Sequence, residues 1–314
     1  MAKIAWVFPG QGAQFAGMGK GLYGLGGKPE AVFEAADRAL GYKLSRIILE
    51  GPEDELTLTE NAQPALLTVS MACVAVLQEA GLKPDMAAGL SLGEYTALAA
   101  AGSLGLEDAV ALTHKRGVYM QEACRPGEGA MAAIIGLSCA EVEALCYDAR
   151  RLGEVSGANY NCPGQIVVSG RKRAVDEVAR RAREMGVRAI PLAVSAPFHC
   201  SLMRPAAERL KKDLGKVAIR TPSVRVYSNV HGETVDSPES IRDALLKQVT
   251  HPVLWQVDVE SMVRDGAGAF VEVGPGKTLS GFGKRISPDV PFTQFSGPED
   301  LEAVLAFSRE ALLR

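Results

Sequence analysis

Gly89-Leu90-Ser91-Leu92-Gly93 is the stretch on which the reading of this chain turns. Met86-Ala87-Ala88 before it is small and apolar and suits the end of a buried strand. Glu94-Tyr95-Thr96-Ala97-Leu98-Ala99-Ala100-Ala101 after it is a strong helix former. Gly-x-Ser-x-Gly between a strand and a helix is the pattern of a nucleophile elbow. Its glycines are needed because the turn is tight, and a Cβ at either one would strike the neighbouring strand or helix. The turn lifts the Ser91 hydroxyl off the sheet. It also aims the N–H of Leu92, at a new helix N-terminus, toward any oxyanion that forms. The same five residues also make an ordinary strand-to-helix turn, so the rest of the chain has to decide between the two.

Working back, Lys3-Ile4-Ala5-Trp6-Val7-Phe8 reads as a strand, followed by the glycine-rich loop Pro9-Gly10-Gln11-Gly12-Ala13-Gln14. The loop lacks both the Gly-Lys-Ser/Thr ending and the G-x-G-x-x-G spacing of a phosphate cradle. At the end of a parallel strand it lies on the same rim as the elbow. There it is either a plain turn or the source of a second oxyanion donor, the N–H of Gln11. Helices are expected over 30–40 and 64–80, with Gly41 and Gly81 as stops and Pro64 in the first turn. A further helix over 107–123 puts Arg116 and Met120 on one face.

Residues 128–194 change character. A strand over 130–135, a helix over 139–149, strands over 155–160 and 166–168, a helix over 172–185 and a strand over 187–194 give the order βαββαβ. That is the split βαβ of a ferredoxin-like unit. The chain therefore divides into a large α/β body (1–127 and 195–314) and an inserted small unit (128–194). The unit's second helix carries Arg171, Lys172, Arg173, Arg180, Arg181 and Arg183. This is either a solvated face partly neutralised by Asp176 and Glu177 or a docking surface for an acidic partner. After the insertion come Ser195 to Met203, a helix over 204–214, a strand over 224–228 and a strand over 269–273 that runs into Gly274-Pro275-Gly276-Lys277.

Composition narrows the classes. Hydrophobic residues make up 47% of the 314 and aromatics only 6%, so the core is expected to be built from Ala, Val, Leu and Ile. A net charge of −3 leaves no footprint for nucleic acid. No signal peptide is read at the start, and no apolar run of membrane-spanning length, since Gly102 and Gly105 break the Ala-rich stretch. The six cysteines form no C-x-x-C pair and lie near no pair of histidines. Neither a metal site nor a disulfide framework is expected, and the setting is the reducing cytoplasm. Cys200, beside His199, reads as a small buried filler.

A serine hydroxyl needs a base within hydrogen-bond reach. Of four histidines, His114 sits inside a helix, His231 precedes a turn glycine, and His251 precedes Pro252. His199 lies in an irregular segment between a strand and a helix, where loops carry chemistry. No Asp stands out to orient it, and a backbone or side-chain carbonyl serves as well. Arg116 is either a surface arginine with a salt-bridge partner or a guanidinium that holds an acyl carboxylate through two parallel bonds.

Taken together, the motifs resemble those of the malonyl-CoA:acyl carrier protein transacylases and the related acyltransferase domains of polyketide synthases. The matching strings are Phe8 to Gln14, Gly89 to Tyr95, Arg116-Gly117 with Met120 to Ala123, Asn161-Cys162-Pro163-Gly164-Gln165, Phe198-His199, Tyr227 to Val230, Gln248 with Pro252-Val253 and Trp255, and Glu272 to Gly276. They run in order across nearly the whole chain. The resemblance implies an α/β-hydrolase-like body with a parallel sheet and a ferredoxin-like insertion. It implies Ser91 as the acylated nucleophile, His199 as base and then acid, and Gln11 and Leu92 as oxyanion-hole donors. Arg116 would hold the malonyl carboxylate, with Met120 and Phe198 beside it, and the Gln248 backbone carbonyl would orient His199. Phe198 and Leu92 go with malonyl rather than a branched acyl group. The implied partners are malonyl-CoA and an acidic acyl carrier protein on the basic insertion helix. No metal or redox cofactor, nucleic acid or membrane is implied, and a monomer is expected. One departure is that Leu90 stands where the family usually has His. A polyketide-loading acyltransferase, a thioesterase and an inactive docking subunit are the alternatives.

Overall fold

The computed structural model describes residues 3–194 and 196–313. Its first strand, β1 (Lys3–Phe8), is at the centre of a six-stranded sheet because both of its faces are apolar. Ile4, Trp6 and Phe8 face one helical layer, and Ala5 and Val7 face the other. Such two-sided burial is what a parallel sheet between helices requires. The other strands are β2 (Met86–Gly89), β7 (Arg225–Ser228), β8 (Glu233–Val235), β9 (Ala267–Val273) and β10 (Phe292–Phe295), in the order β10-β9-β1-β2-β7-β8. All neighbours are parallel except β8, which returns antiparallel to β7. The expected parallel body is thus observed, with β8 and β10 added at its edges.

The inserted sheet is antiparallel: β3 (Gly129–Ile135), β4 (Val155–Cys162), β5 (Gln165–Arg171) and β6 (Arg188–Pro191), ordered β4-β5-β3-β6. With the helices Cys139–Ala149 and Lys172–Glu184 between strands, this is the βαββαβ order read from the sequence. Ala132, Ile134, Ile166 and Val168 turn toward those two helices and close a core of their own. The alternate residues Met131, Ala133 and Val167 turn the other way, toward the body. The sheet is also stitched to the body directly. Tyr160 N–H donates to Val253 O (2.9 Å) and Val253 N–H to Ala158 O (2.8 Å), around the parallel bridge of Asn159 with Val253.

Several local readings change. The strand expected over 187–194 is only Arg188–Pro191, and the turn expected over Asn161-Cys162-Pro163-Gly164, between the strands read at 155–160 and 166–168, narrows to Pro163-Gly164, because Cys162 already pairs with Gln165. Ser195, at the head of the segment leading to His199, lies outside the described residues. Pro64 is not in a first turn. Helix Thr59–Glu79 starts five residues earlier than expected and carries Pro64 inside it. Proline has no N–H to give the Glu60 carbonyl one turn back. His114 takes its place, with Nδ1–H donating to Glu60 O at 3.0 Å. The same helix is long and apolar enough, by length and composition alone, to cross a membrane, contrary to the sequence reading. Its membrane-length window is 89% buried inside the molecule, and it packs as a core helix.

Candidate active site

β2 ends at Gly89 and helix Leu92–Ala100 begins three residues later, which leaves Ser91 at φ 54° and ψ −101°. A non-glycine residue held at positive φ is strained and needs anchoring. The anchor is Asn229, at the end of β7. Ser91 N–H donates to its Oδ1 (2.7 Å), and its Nδ2 donates to Gly89 O (2.9 Å) and to Asp258 Oδ2 (2.7 Å). The flanking glycines are there for space. A Cβ on Gly89 would overlap the Gly93 backbone carbonyl, and one on Gly93 would overlap the carbonyl of Phe8 in the adjacent strand.

Ser91 Oγ lies 2.7 Å from His199 Nε2, and His199 Nδ1–H donates to the Gln248 backbone carbonyl at 2.8 Å. The carbonyl fixes the tautomer, so Nε2 is free to accept the serine proton. His199 also has positive φ, 58°, and only 3% of it is exposed. Burial, and then the positive charge of Arg116, push its imidazole down to about 3. The base is therefore neutral at ordinary pH. The acid limb of kcat/KM for acylation should lie near 3, with kcat/KM flat over roughly pH 5 to 6.5; a limb at the usual histidine value would contradict this environment.

Arg116 is 1% exposed. Among the described residues no carboxylate lies within ion-pair distance of it; its acceptors are Gln63 Oε1 (2.7 Å), Gln248 Oε1 (2.9 Å) and Ser91 Oγ (3.0 Å). The surface-arginine alternative thus gives way. Gln248 serves several partners, because its Nε2 donates to Ser91 O (2.8 Å) and to Glu94 Oε2 (2.6 Å). Glu94 is fully buried, and that burial raises its carboxyl to about 7. Asp258 is pushed well up as well, first by burial and then by Glu94.

Ser91, Leu92, Gln11, Arg116, Met120, Phe198 and His199 all line one cavity of about 420 Å³. Its roof is the inward face of the inserted sheet, with Met131, Ala133 and Val167. Leu92 is the first residue of its helix, so its N–H has no intrahelical acceptor. The structure thus brings together every site residue named from the sequence. Gln248 stands behind the cavity as the carbonyl support of His199. The other histidines serve elsewhere: His114 on Glu60, and His251 exposed with its Nδ1 on Lys247 O. Cys200 donates to Pro197 O (3.1 Å), and burial pushes its thiol up to about 11, as befits a filler. All six cysteines are free, and among the described residues no three His, Cys, Asp or Glu side chains group to hold a metal.

Sequence reasoning missed Gln63, Glu94, Asn229 and Asp258. Asn229 carried a usable signal, since it follows a strand that ends on the elbow's rim. Gln63 and Asp258 lie inside helices and carried none.

An elbow serine, a neutral buried histidine and a buried guanidinium held by neutral acceptors, in one cavity between a parallel sheet and an inserted ferredoxin-like sheet, define a covalent acyl-transfer fold. The chain belongs to the acyl transferase domain family, whose model matches residues 5–285. It is 45% identical over 312 residues, 99% of this chain and 98% of the other, to the malonyl CoA-acyl carrier protein transacylase of Bacillus subtilis. It is 44% identical over 307 residues, 97% of this chain and 99% of the other, to the protein of that name in Escherichia coli K12. Among solved structures it is similar to an acyl carrier protein S-malonyltransferase from Vibrio cholerae, with TM-score 0.93 and 42% identity over 96% of this chain and 100% of that one. It is also similar to a malonyl-transacylase in complex with a type II polyketide synthase acyl carrier protein, with TM-score 0.94 and 40% identity over 97% of this chain and 99% of that one.

Proposed function

We propose that this protein moves the malonyl group from malonyl-CoA to the phosphopantetheine thiol of acyl carrier protein, in fatty acid biosynthesis, through a malonyl-serine intermediate. The observation that carries the reading is Arg116, a buried guanidinium with no carboxylate partner among the described residues, 3.0 Å from the serine hydroxyl. An isolated buried cation is costly, and an acyl carboxylate is the group that offsets it.

His199 takes the Ser91 proton as Oγ attacks the thioester carbonyl. The N–H groups of Gln11 and Leu92 hold the oxyanion, each worth roughly 3 kcal/mol in comparable sites. The C–S bond breaks and His199 returns the proton to the departing CoA thiol. The carrier thiol then attacks the ester by the same route in reverse. Arg116 and Met120 flank the acyl group, and the Phe198 ring crowds a branched C2. No step calls for a metal or redox cofactor. The cytoplasm is the proposed location, and a single chain supplies every group named. Leu90 lines the cavity as an apolar residue and leaves this set complete.

Intact mass after incubation with malonyl-CoA should show one malonyl adduct, lost in Ser91→Ala. Transfer to carrier protein with no adduct at any time would overturn the scheme. Hydrolysis that outpaces transfer would favour a thioesterase instead. The likeness to the polyketide complex makes a polyketide carrier the second reading, and relative KM for the two carriers decides between them.

The carrier is proposed to contact helix Lys172–Glu184. There Arg180 pairs with Glu177 and Glu184, Arg181 with Asp148, and Lys172 with Asp176. These pairs lie at the surface, where solvent screens them, so an acidic partner can replace them. Reversing charge at Arg180 and Arg181 should raise the carrier KM severalfold with KM for malonyl-CoA unchanged. An unmoved carrier KM dismisses this face.

A further inference from the structure

The protons of the Arg116 guanidinium can be counted. Arginine has five N–H groups and no acceptor. One proton on Nη1 goes to Gln63 Oε1, at 2.7 Å. Nη2 makes two bonds, to Gln248 Oε1 (2.9 Å) and to Ser91 Oγ (3.0 Å), which uses both of its protons. Nε is buried without an acceptor among the described residues. An end-on, two-pronged grip on a carboxylate takes one proton from each Nη. Nη1 has one to give, but Nη2 has none until it drops a partner. Gln248 is the harder one to drop, because its Nε2 is fixed by Ser91 O and Glu94 Oε2 while its backbone carbonyl holds His199. The serine hydroxyl is a short side chain with one rotatable bond.

We propose that Arg116 restrains Ser91 in the unliganded enzyme, and that an incoming acyl carboxylate lifts the restraint by taking the Nη2 proton now given to Oγ. The proposal rests on the transfer reaction above only for the source of that carboxylate. Release does two things. It returns to Oγ a lone pair occupied by the guanidinium. It also cancels a charge that opposes the next step, because moving the serine proton to His199 creates a second cation beside the first. The positive charge of Arg116 is indeed the largest influence on His199 after burial. Removing one neighbouring like charge shifts such an equilibrium by about tenfold or more. An acyl group without a carboxylate binds beside a serine still held. Selection then falls on the rate of acylation and not on binding alone.

The test uses a neutral serine reagent, so it does not depend on which acyl group the enzyme prefers. Ser91 labelling by phenylmethanesulfonyl fluoride is followed by intact mass while formate replaces chloride at constant ionic strength. Formate supplies a carboxylate too small to fill the cavity. Labelling of the wild type should rise up to about tenfold, and Arg116→Met should label at the raised rate without responding to formate. Arg116→Met, which keeps an apolar stem in place of a buried charge, should also be acylated by acetyl-CoA faster than the wild type in absolute terms. Formate that slows wild-type labelling or leaves it unchanged overturns the proposal, even if the variant fails to fold. So does a folded Arg116→Met that acetylates no faster. Failure of malonyl-CoA to label Ser91 at all would instead sink the transfer reaction, and the formate result would still stand by itself.

Discussion

Alanine at position 199 is expected to slow malonylation of Ser91 by about four to six orders of magnitude. Among the described residues the serine proton has one acceptor in reach, His199 Nε2 at 2.7 Å. The nearby alternatives are closed. Arg116 has no lone pair to offer. Glu94 Oε2 is engaged by Gln248 Nε2 (2.6 Å), and Glu94 does not line the cavity. Single-turnover acylation followed by mass gives the rate directly. A loss below about a hundredfold would mean that another group takes the proton and that the pairing in the structure is incidental.

The second large effect is on the fold. Gly89→Ala should destabilise the protein by more than about 4 kcal/mol, or prevent folding, since its Cβ would have to occupy the Gly93 carbonyl and lie 2.6 Å from the Glu94 backbone N. Both contacts are backbone in a helix locked to the sheet, so neither can yield. Gly281→Ala is the matched control. It lies in helix Thr278–Ile286 with open space where the Cβ would go, and should be neutral or stabilising by about 0.5–1 kcal/mol. Urea midpoints of the two variants settle the comparison. Equal midpoints would show that the elbow tolerates side chains and that its glycines have another purpose.

The parts legible in the sequence are those dictated by short-range necessity. Gly89 and Gly93 declare a turn with no room, and alternating apolar residues declare the strands on either side. The inserted unit was readable because its helices and strands follow one another with short turns. His199 was the histidine left in an irregular segment. The misreadings have physical causes. Pro64 looked like a helix start because nothing in the sequence shows that His114, fifty residues on, accepts the role of the missing N–H partner for Glu60. The short helices Leu44–Glu50 and Glu53–Thr57 have too few turns to show a period. Asn229, Glu94 and Gln63 act through single contacts across the fold, and one amide or carboxylate leaves no pattern along the chain. Arg116 was half legible, since its helix face could be read but not its burial.

The two faces of the inserted sheet have different owners. One belongs to its private helices, and the other is the ceiling over the reactive hydroxyl. The chain passes into this unit and out of it only once each, on either side of 129–191. It is therefore a cassette. Exchanging it between relatives would give the same elbow a differently shaped ceiling, and taste in acyl chains could drift there while the machinery beneath stayed as it is.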